Sequence, residues 1–220
     1  MSKQAKTIIY YTANTEDPKF EAKIRANILK HKGNLPIISV SQKPLDFGKN
    51  ICVGNVGHTY FNEYRQMLIG AKVAKTPYII FAESDFLYPK DYFSFEPKGA
   101  NLYRYNNVWI VYKDPRIYSY RRKNNSVGAQ ICKREYLINI LEKNLKGKPK
   151  WSDKEVVLKD RRGFDLFKVP FEFFGGDIAC ISFKTGQGMR RYTTNMHGKD
   201  NLKIRLPYWD HVGNLRKEYL

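Results

Sequence analysis

Short apolar runs alternate with amphipathic stretches over the first 82 residues, and this alternation constrains the fold more than any other feature of the chain. Residues 7–12, 36–40 and 78–82 are runs of β-branched and aromatic residues, which predict strands. Pro18 to about Lys32 and residues 59–75 carry apolar side chains at helical spacing. Strands that alternate with helices build a parallel sheet with covering helices. The sequence therefore predicts an α/β fold with a mostly parallel central sheet and flanking helices.

The pattern changes beyond about residue 100. Residues 101–112 and 178–183 predict short aromatic strands, and a helix is expected at about 133–144. The stretch 147–162 is rich in charge and predicts a mobile or partner-contacting loop.

Composition indicates one packed domain over residues 1–220. The chain is 42% hydrophobic and 15% aromatic, which is enough apolar material for a core and unlike a disordered segment. It contains no apolar run of membrane-spanning length, and its first residues lack the apolar stretch of a secretory signal. Its three cysteines, Cys52, Cys132 and Cys180, are far apart in sequence, so we expect buried thiols in a reducing, cytoplasmic compartment.

Net charge is the strongest compositional signal, because 39 Lys and Arg against 21 Asp and Glu give +18. Most of the excess lies beyond residue 100. A basic surface of this kind favours a polyanionic partner, since neutralising phosphates releases condensed counterions. The alternative is that lysine serves throughout the chain as a solubilising residue.

Two carboxylates, Glu83 and Asp85, directly follow the apolar run 78–82. Ligands of open α/β sheets bind beyond the carboxyl ends of the strands. Carboxylates at such a position suit a hard divalent cation that also takes diphosphate oxygens. The pattern acid-x-acid is common on surfaces, and its position after a buried strand is what makes it a candidate site.

The stretch Tyr64–Asp85 resembles the helix, strand and acidic signature of family 2-like GT-A glycosyltransferases, and 126–135 resembles their later strand and helix. Gln66 stands where Asn is usual in this family, and Glu83 where the first Asp is usual. The resemblance implies a GT-A, Rossmann-like fold in one domain, with residues 1–100 binding a nucleotide sugar and residues 101–220 binding the acceptor. It also implies a divalent metal, Mn²⁺ or Mg²⁺, and favours a UDP-sugar donor.

The resemblance also assigns roles to individual residues. The expected metal ligands are Glu83, Asp85 and His197. Apart from the resemblance, inverting transfer needs a general base that takes the proton of the acceptor hydroxyl. We expect it at Asp177 or Glu172, because a carboxylate among aromatics and glycines is expected to be partly desolvated. The donor-binding residues that the resemblance implies are Tyr11, Thr12, Asn14, Ser41, Gln42, Arg65 and Ser84.

Aromatic and basic residues interleave between residues 103 and 123, as they do on nucleic-acid-binding surfaces. The tyrosines among them are equally typical of the half-buried face of a strand. Together with the charge, this pattern favours DNA with a 5-hydroxymethylpyrimidine as the acceptor, which links the chain to viral DNA-modifying glycosyltransferases acting in a host cytoplasm. The candidate DNA-binding residues are Arg116, Arg121, Arg122, Lys123, Arg190 and Arg191.

Three alternatives remain open. The acceptor is a glycan, a lipid or a protein; or the chain binds nucleic acid on a GT-A-like scaffold without catalysis; or it is a nucleotidyltransferase. A glycine-rich phosphate-binding loop after the first strand would support a nucleotidyltransferase. Residues 12–15 contain no glycine, so the sequence lacks this support.

Overall fold

The computed structural model describes residues 5–123, 126–158, 170–186 and 202–220. The strands in these ranges are β1 (Lys6–Thr12), β2 (Ile37–Ser41), β3 (Lys49–Cys52), β4 (Tyr78–Glu83), β5 (Phe86–Leu87), β6 (Leu102–Tyr105), β7 (Val108–Tyr112), β8 (Tyr120–Lys123), β9 (Gln130–Lys133), β10 (Glu172–Phe174), β11 (Cys180–Lys184), β12 (Leu202–Lys203), β13 (Arg205–Leu206) and β14 (Asp210–His211). The helices are α1 (Pro18–His31), α2 (Tyr60–Val73), α3 (Lys90–Ser94), α4 (Arg134–Leu145) and α5 (Val212–Tyr219).

A seven-stranded sheet in the order β10-β6-β9-β4-β1-β2-β3 forms the centre of the fold. The four strands β3, β2, β1 and β4 are parallel, whereas β9 runs antiparallel to both of its neighbours, β4 and β6. β10 pairs parallel to β6 at the edge. This is the predicted mostly parallel sheet, and β1, α1, β2, α2 and β4 match the predicted bounds to within two residues.

Helices α1 and α2 begin at residues that satisfy the free N–H groups of a first turn. The Asp17 carboxylate accepts from Lys19 N and Phe20 N, and Pro18 occupies the first position of α1. The Thr59 side chain accepts from the third residue of α2. Local sequence therefore sets where both helices begin.

The alternation of side chains along β1 divides the core into two layers. Ile8 and Tyr10 face a layer that contains α1 and a second sheet, whereas Ile9 and Tyr11 face α2 and α4. Gly70 lets α2 pack closely on the sheet, because a Cβ there would lie 2.8 Å from Ile9 Cγ2. β1 and β4 are buried along nearly their whole length, and their central residues 8–11 and 78–82 are apolar, as in other strands that are covered on both faces.

The second sheet has the order β12-β8-β7-β11-β5 and packs against the first. Its strand β5 comes from the first hundred residues, whereas its other strands come from the rest of the chain. Strands β6, β9 and β10 of the central sheet likewise come from beyond residue 100. The chain is therefore one mixed α/β domain whose two halves share a core.

The described part of the charged loop packs on the protein itself. The Glu155 carboxylate accepts from Tyr60 N and Phe61 N at the start of α2, at 2.9 and 3.1 Å. Asn62 Nδ2 donates to Ser152 O at 2.7 Å. Residues 147–158 thus cap α2, which the high charge of the stretch did not suggest.

All three cysteines are free, but they are not alike. Cys132 and Cys180 are buried as predicted, whereas Cys52 is exposed because it ends the edge strand β3. No helix in the described ranges has both the length and the apolar character needed to cross a bilayer.

Candidate functional site at the carboxyl end of β4

Glu83 and Asp85 lie at the carboxyl end of β4, in the middle of the central sheet. Both side chains are partly exposed, as is Ser84 in the turn between them. Tyr11, one of the predicted donor-binding residues, pairs with Glu83 in the β1–β4 register, and its hydroxyl donates to Glu83 Oε1 at 2.6 Å. Tyr11 is 2% exposed, so its contribution to the site is to hold the Glu83 carboxylate.

The position of Glu83 is fixed from the neighbouring loop as well. The Tyr88 hydroxyl accepts from Glu83 N at 2.9 Å and donates to Gly128 O at 2.7 Å. The end of β4 therefore lies against residues 126–129. A Cβ at position 128 would lie 2.5 Å from the Glu83 carboxyl group, so a larger residue there would displace this carboxyl.

Lys184 faces Asp85 from the end of β11. Its Nζ lies 3.2 Å from Asp85 Oδ2, and both side chains keep some exposure. The backbone aligns the pair, because Phe183 N donates to Asp85 O at 2.7 Å. The sequence placed Lys184 in a basic stretch beyond residue 100, and nothing in its local sequence indicated that it adjoins the acidic pair.

Two further carboxyl groups, Glu63 and Glu16, influence this site. Burial raises the pKa of Glu83 to about 7, and the Asp85 charge adds to the effect. Burial and then the Glu83 charge raise the pKa of Glu63, on the first turn of α2, well above its usual value. Burial and then Asp85 raise the pKa of Glu16 to about 7. Like charges held close together in a low-dielectric setting resist ionisation.

Lys184 is the counter-charge in this group. Burial by itself lowers the pKa of its ammonium, but the Asp85 and Glu83 carboxylates outweigh burial, so that the pKa is raised. The lysine therefore stays protonated at neutral pH. Lys184 and Lys123, which also acts on Glu83, are therefore two ammoniums beside four carboxyl groups.

The donor set of Glu83 and Asp85 fits a small divalent cation of the Mg²⁺ type. Such cations bind through one or two carboxylates and complete their shell with water and substrate phosphates. In the ranges that the structure describes, no group of three or more His, Cys, Asp or Glu side chains is arranged to hold a metal. His197, the third predicted ligand, lies outside the described residues. The two carboxyl groups offer hard oxygen ligands, which is the chemistry a divalent cation of this type requires.

The polar residues after β1 and β2 bind one another. Asn14 Oδ1 accepts from Gln42 N and Lys43 N, both at 2.9 Å. The Gln42 amide binds the backbone of Val56 and Gly57. These two predicted donor-binding residues tie adjacent loops together, and Gln42 is buried.

Thr12 and Ser41 are buried as well. The Thr12 hydroxyl accepts from Asn14 N, and the Ser41 hydroxyl donates to Lys43 O and accepts from Asn50 Nδ2. In this structure both predicted donor-binding hydroxyls form hydrogen bonds within the protein. The loops after β1 and β2 carry them, but the hydroxyls serve the fold.

Arg65 and Gln66, which match the Arg-Asn pair of the family pattern, both donate hydrogen bonds to backbone carbonyl oxygens. The Arg65 guanidinium donates to the carbonyl oxygens of Leu145, Lys148 and Pro149 beyond α4, and its predicted role in donor binding stays a prediction. Gln66, which stands where the family has Asn, is buried, and its amide donates to Thr12 O and Val40 O. It thereby fastens the carboxyl ends of β1 and β2 to α2.

Glu172 and Asp177, the predicted general bases, are both exposed. The expected desolvation of a carboxylate among aromatics and glycines is therefore wrong. Glu172 lies on β10, and two strands separate β10 from β4. At about 4.8 Å per strand that distance is roughly 14 Å, so the structure does not bring Glu172 to Glu83 and Asp85.

The basic residues of β8 are engaged within the fold. The Arg121 guanidinium lies over the Tyr112 ring and that of Arg122 over the Trp109 ring, with 5.6 and 5.5 Å to the centroids. Arg122 also donates to Asn106 O. The two guanidinium groups therefore cover aromatic rings of β7. The rings themselves belong to a strand, which is the alternative that the sequence left open for the aromatic residues of this stretch.

Two other predicted DNA-binding residues also have partners. Arg116 is paired with Asp114 and, through hydrogen bonds, lowers the pKa of that carboxyl to about 2. Lys123 Nζ donates to Ser126 Oγ and lies close enough to Glu83 to lower the pKa of that carboxyl, so Lys123 adjoins the acidic site. Arg190 and Arg191 lie outside the described residues.

No family model matches the sequence, and no curated protein matches it. Solved structures are similar in fold. The inositol-1-phosphate CTP transferase from T. maritima superposes with a TM-score of 0.51 at 13% identity, over 84% of this chain and 91% of that one. The two chains therefore share a fold, which agrees with the Rossmann-like GT-A architecture implied by the resemblance.

Two other structures are less similar. S. aureus TarS 1-349 in complex with UDP-GlcNAc gives a TM-score of 0.49 at 11% identity, over 88% of this chain and 62% of that one. The bifunctional IspDF from Campylobacter jejuni gives 0.44 at 10% identity, over 78% and 50%. The chain thus spans only half to about three-fifths of the TarS 1-349 and IspDF chains.

Proposed function

We propose that the protein is a glycosyltransferase that moves a sugar from a nucleotide-sugar donor to a hydroxyl group of an acceptor. One observation carries the proposal: Glu83 and Asp85 stand at the carboxyl end of a central parallel strand, with Lys184 opposite them. Ligands of open α/β sheets bind at this edge. Charges that are held close together and only partly neutralised are typical of a site that binds a charged ligand.

The residues of the site have distinct tasks in this proposal. Glu83 and Asp85 would hold Mn²⁺ or Mg²⁺, with His197 as the predicted third ligand. When bound, the cation supplies positive charge that neutralises the departing nucleoside diphosphate. Tyr11 orients Glu83 through its hydrogen bond, and the partly exposed Ser84 lies between the two carboxylates in the sequence.

The donor and acceptor are the finer part of the proposal. We favour a UDP-sugar, with residues 1–100 on the nucleotide side and residues 101–220 on the acceptor side. DNA with a 5-hydroxymethylpyrimidine is the acceptor to test first, and its support is the net charge of +18. A glycan, lipid or protein acceptor, or nucleic-acid binding without catalysis, are the other outcomes that the experiment below distinguishes.

The test is a transfer screen read by mass spectrometry. The protein is incubated with Mn²⁺, a panel of nucleotide sugars, and hydroxymethylcytosine DNA, hydroxymethyluracil DNA or glycan acceptors. We expect one donor to be consumed, with a nucleoside diphosphate released and a hexose or pentose added to the acceptor. Sugar on a glycan but never on DNA would reject the DNA acceptor alone. DNA binding with a steep salt dependence and no donor consumption would leave a binding protein.

Nucleotidyl transfer is the second candidate, because the similarity to the T. maritima CTP transferase covers nearly the whole of that chain. The products discriminate the two reactions. A nucleotidyltransferase consumes a nucleoside triphosphate and releases pyrophosphate, whereas a glycosyltransferase releases a nucleoside diphosphate from a sugar nucleotide. Incubation with CTP and sugar or polyol phosphates, followed by pyrophosphate detection, therefore belongs in the same screen.

A further inference from the structure

We propose that Lys184 is a built-in counter-ion, which occupies Asp85 before the ligands bind and is released to the diphosphate when a divalent cation enters. The inference rests on the proposed function, since it concerns the same site. It adds a residue, Lys184, and a coupling between two ligands that the resemblance does not imply. The metal alone should bind weakly, and the metal together with a diphosphate should bind tightly.

The backbone fixes Lys184 opposite the acidic turn. In the register of β5 with β11, Ser182 pairs with Phe86. One step further, Phe183 N donates to Asp85 O at 2.7 Å. The backbone pairing of β5 with β11 therefore places the Lys184 side chain beside the Asp85 carboxylate without the help of a ligand.

The ammonium and a divalent cation compete for one carboxylate. Lys184 Nζ lies 3.2 Å from Asp85 Oδ2, and the Glu83 charge acts on the same ammonium. A metal ion on Asp85 would meet this positive charge at short range, where like charges repel strongly because water is partly excluded. Metal binding therefore requires Lys184 to move away from the carboxylate.

A diphosphate resolves this competition. It brings more negative charge than one divalent cation neutralises, so the displaced ammonium gains a new partner within reach of its own side chain. Lys184 is 25% exposed, which gives its four-carbon stem room to turn toward a ligand in the open site. Metal and diphosphate should consequently each raise the affinity for the other.

The first experiment measures binding of Mn²⁺ alone, from the electron paramagnetic resonance signal of the free ion. We expect Lys184→Met to bind Mn²⁺ roughly two- to fivefold more tightly than the wild type, the range expected for loss of a partly exposed ion pair. Lys184→Arg keeps the charge and should bind as the wild type does. Lys113→Met is the matched control, because it removes a lysine from the neighbouring strand end, where the lysine is exposed.

The second experiment measures binding of UDP and of inorganic pyrophosphate at saturating Mn²⁺, by isothermal titration calorimetry. Lys184→Met should weaken both diphosphates about fivefold or more, whereas Lys113→Met should not. Melting temperatures of all variants show that each is folded.

Each outcome decides something. Unchanged Mn²⁺ binding in Lys184→Met overturns the competition, and unchanged diphosphate binding overturns the release to the ligand. Asp85→Asn separates this proposal from the proposed function. If it leaves Mn²⁺ binding of the wild type intact, there is no metal at this turn and both fail. If Asp85→Asn abolishes binding and Lys184→Met has no effect, only the role of Lys184 fails.

Discussion

Charged side chains have different kinds of partner in two regions of the molecule. At the carboxyl end of β4, Lys184 pairs with Asp85, and the pKa of Glu83 rises to about 7 through burial and then the Asp85 charge. On the second sheet, Arg121 and Arg122 lie over aromatic rings of the neighbouring strand. The first arrangement leaves charge that a ligand can neutralise, whereas the second uses charge to cover the fold. The less conspicuous acidic pair is therefore the better candidate for a site.

The largest expected effect comes from Asp85→Asn. The amide keeps the shape of the side chain but removes the charge that a divalent cation needs, so transfer in the donor screen should fall by about 100-fold or more. Stability should fall by less than about 1 kcal/mol, because the ion pair with Lys184 is partly exposed. Near-normal transfer by a folded Asp85→Asn variant would remove the contrast between the two regions.

The pH dependence of stability tests the crowding of carboxyls. Burial and then Asp85 raise the pKa of Glu16 from its usual 4.5 to about 7. Because the folded protein then holds a proton that the unfolded chain releases, the contribution of Glu16 is full below pH 4.5 and is lost as pH rises through 7.

Glu16→Gln should therefore reduce the stability lost between pH 5 and pH 8 by about 1 to 3 kcal/mol, measured by urea unfolding. Glu172→Gln is the control, since that carboxyl is exposed on the edge strand. Equal slopes for the wild type and Glu16→Gln would show that Glu16 is not crowded in solution.

Gly128→Ala tests the position of Glu83. The added methyl group would lie 2.5 Å from the Glu83 carboxyl and must push it away from the Tyr11 hydroxyl. We expect transfer to fall about tenfold with a small change in melting temperature, since the displaced atoms end a side chain and misplacement of about 1 Å is costly to catalysis. Tyr11→Phe removes the same hydrogen bond without the clash, and an effect of similar size would show that the orientation of Glu83 matters.

The smallest effect is expected on the basic side. Arg122→Gln should lower stability by about 1 kcal/mol, because it removes the contact with Trp109 and a hydrogen bond to Asn106 O. The salt dependence of duplex DNA binding should stay within about half a counterion of the wild type, against a change near one for a residue that binds phosphate. If Arg122→Gln released at least one counterion fewer than the wild type on binding DNA, Arg122 would be a phosphate-binding residue, and the contrast between the two regions would be weaker.

The sequence predicted the central elements well, because local rules govern them. Alternating apolar runs gave β1, β2 and β4, and capping residues such as Asp17 and Thr59 mark where α1 and α2 begin. The site was predicted in part, since Glu83 and Asp85 follow a strand whose burial the sequence made plain. The predicted roles of Arg65, Ser41 and Glu172 were not confirmed, because hydrogen-bond partners and strand order are not encoded at neighbouring positions.

By itself, the amino-acid sequence determined that a parallel α/β sheet forms and that two carboxylates stand at the end of its third apolar run. Periodicity and propensity act over a few residues, so they are legible without the fold. Only the tertiary structure decided that Lys184, 99 residues from Asp85, faces it, and that the arginines of β8 cover rings. Strand pairing between distant segments produces those contacts, and it selects which charges are neutralised internally and which remain available to a ligand.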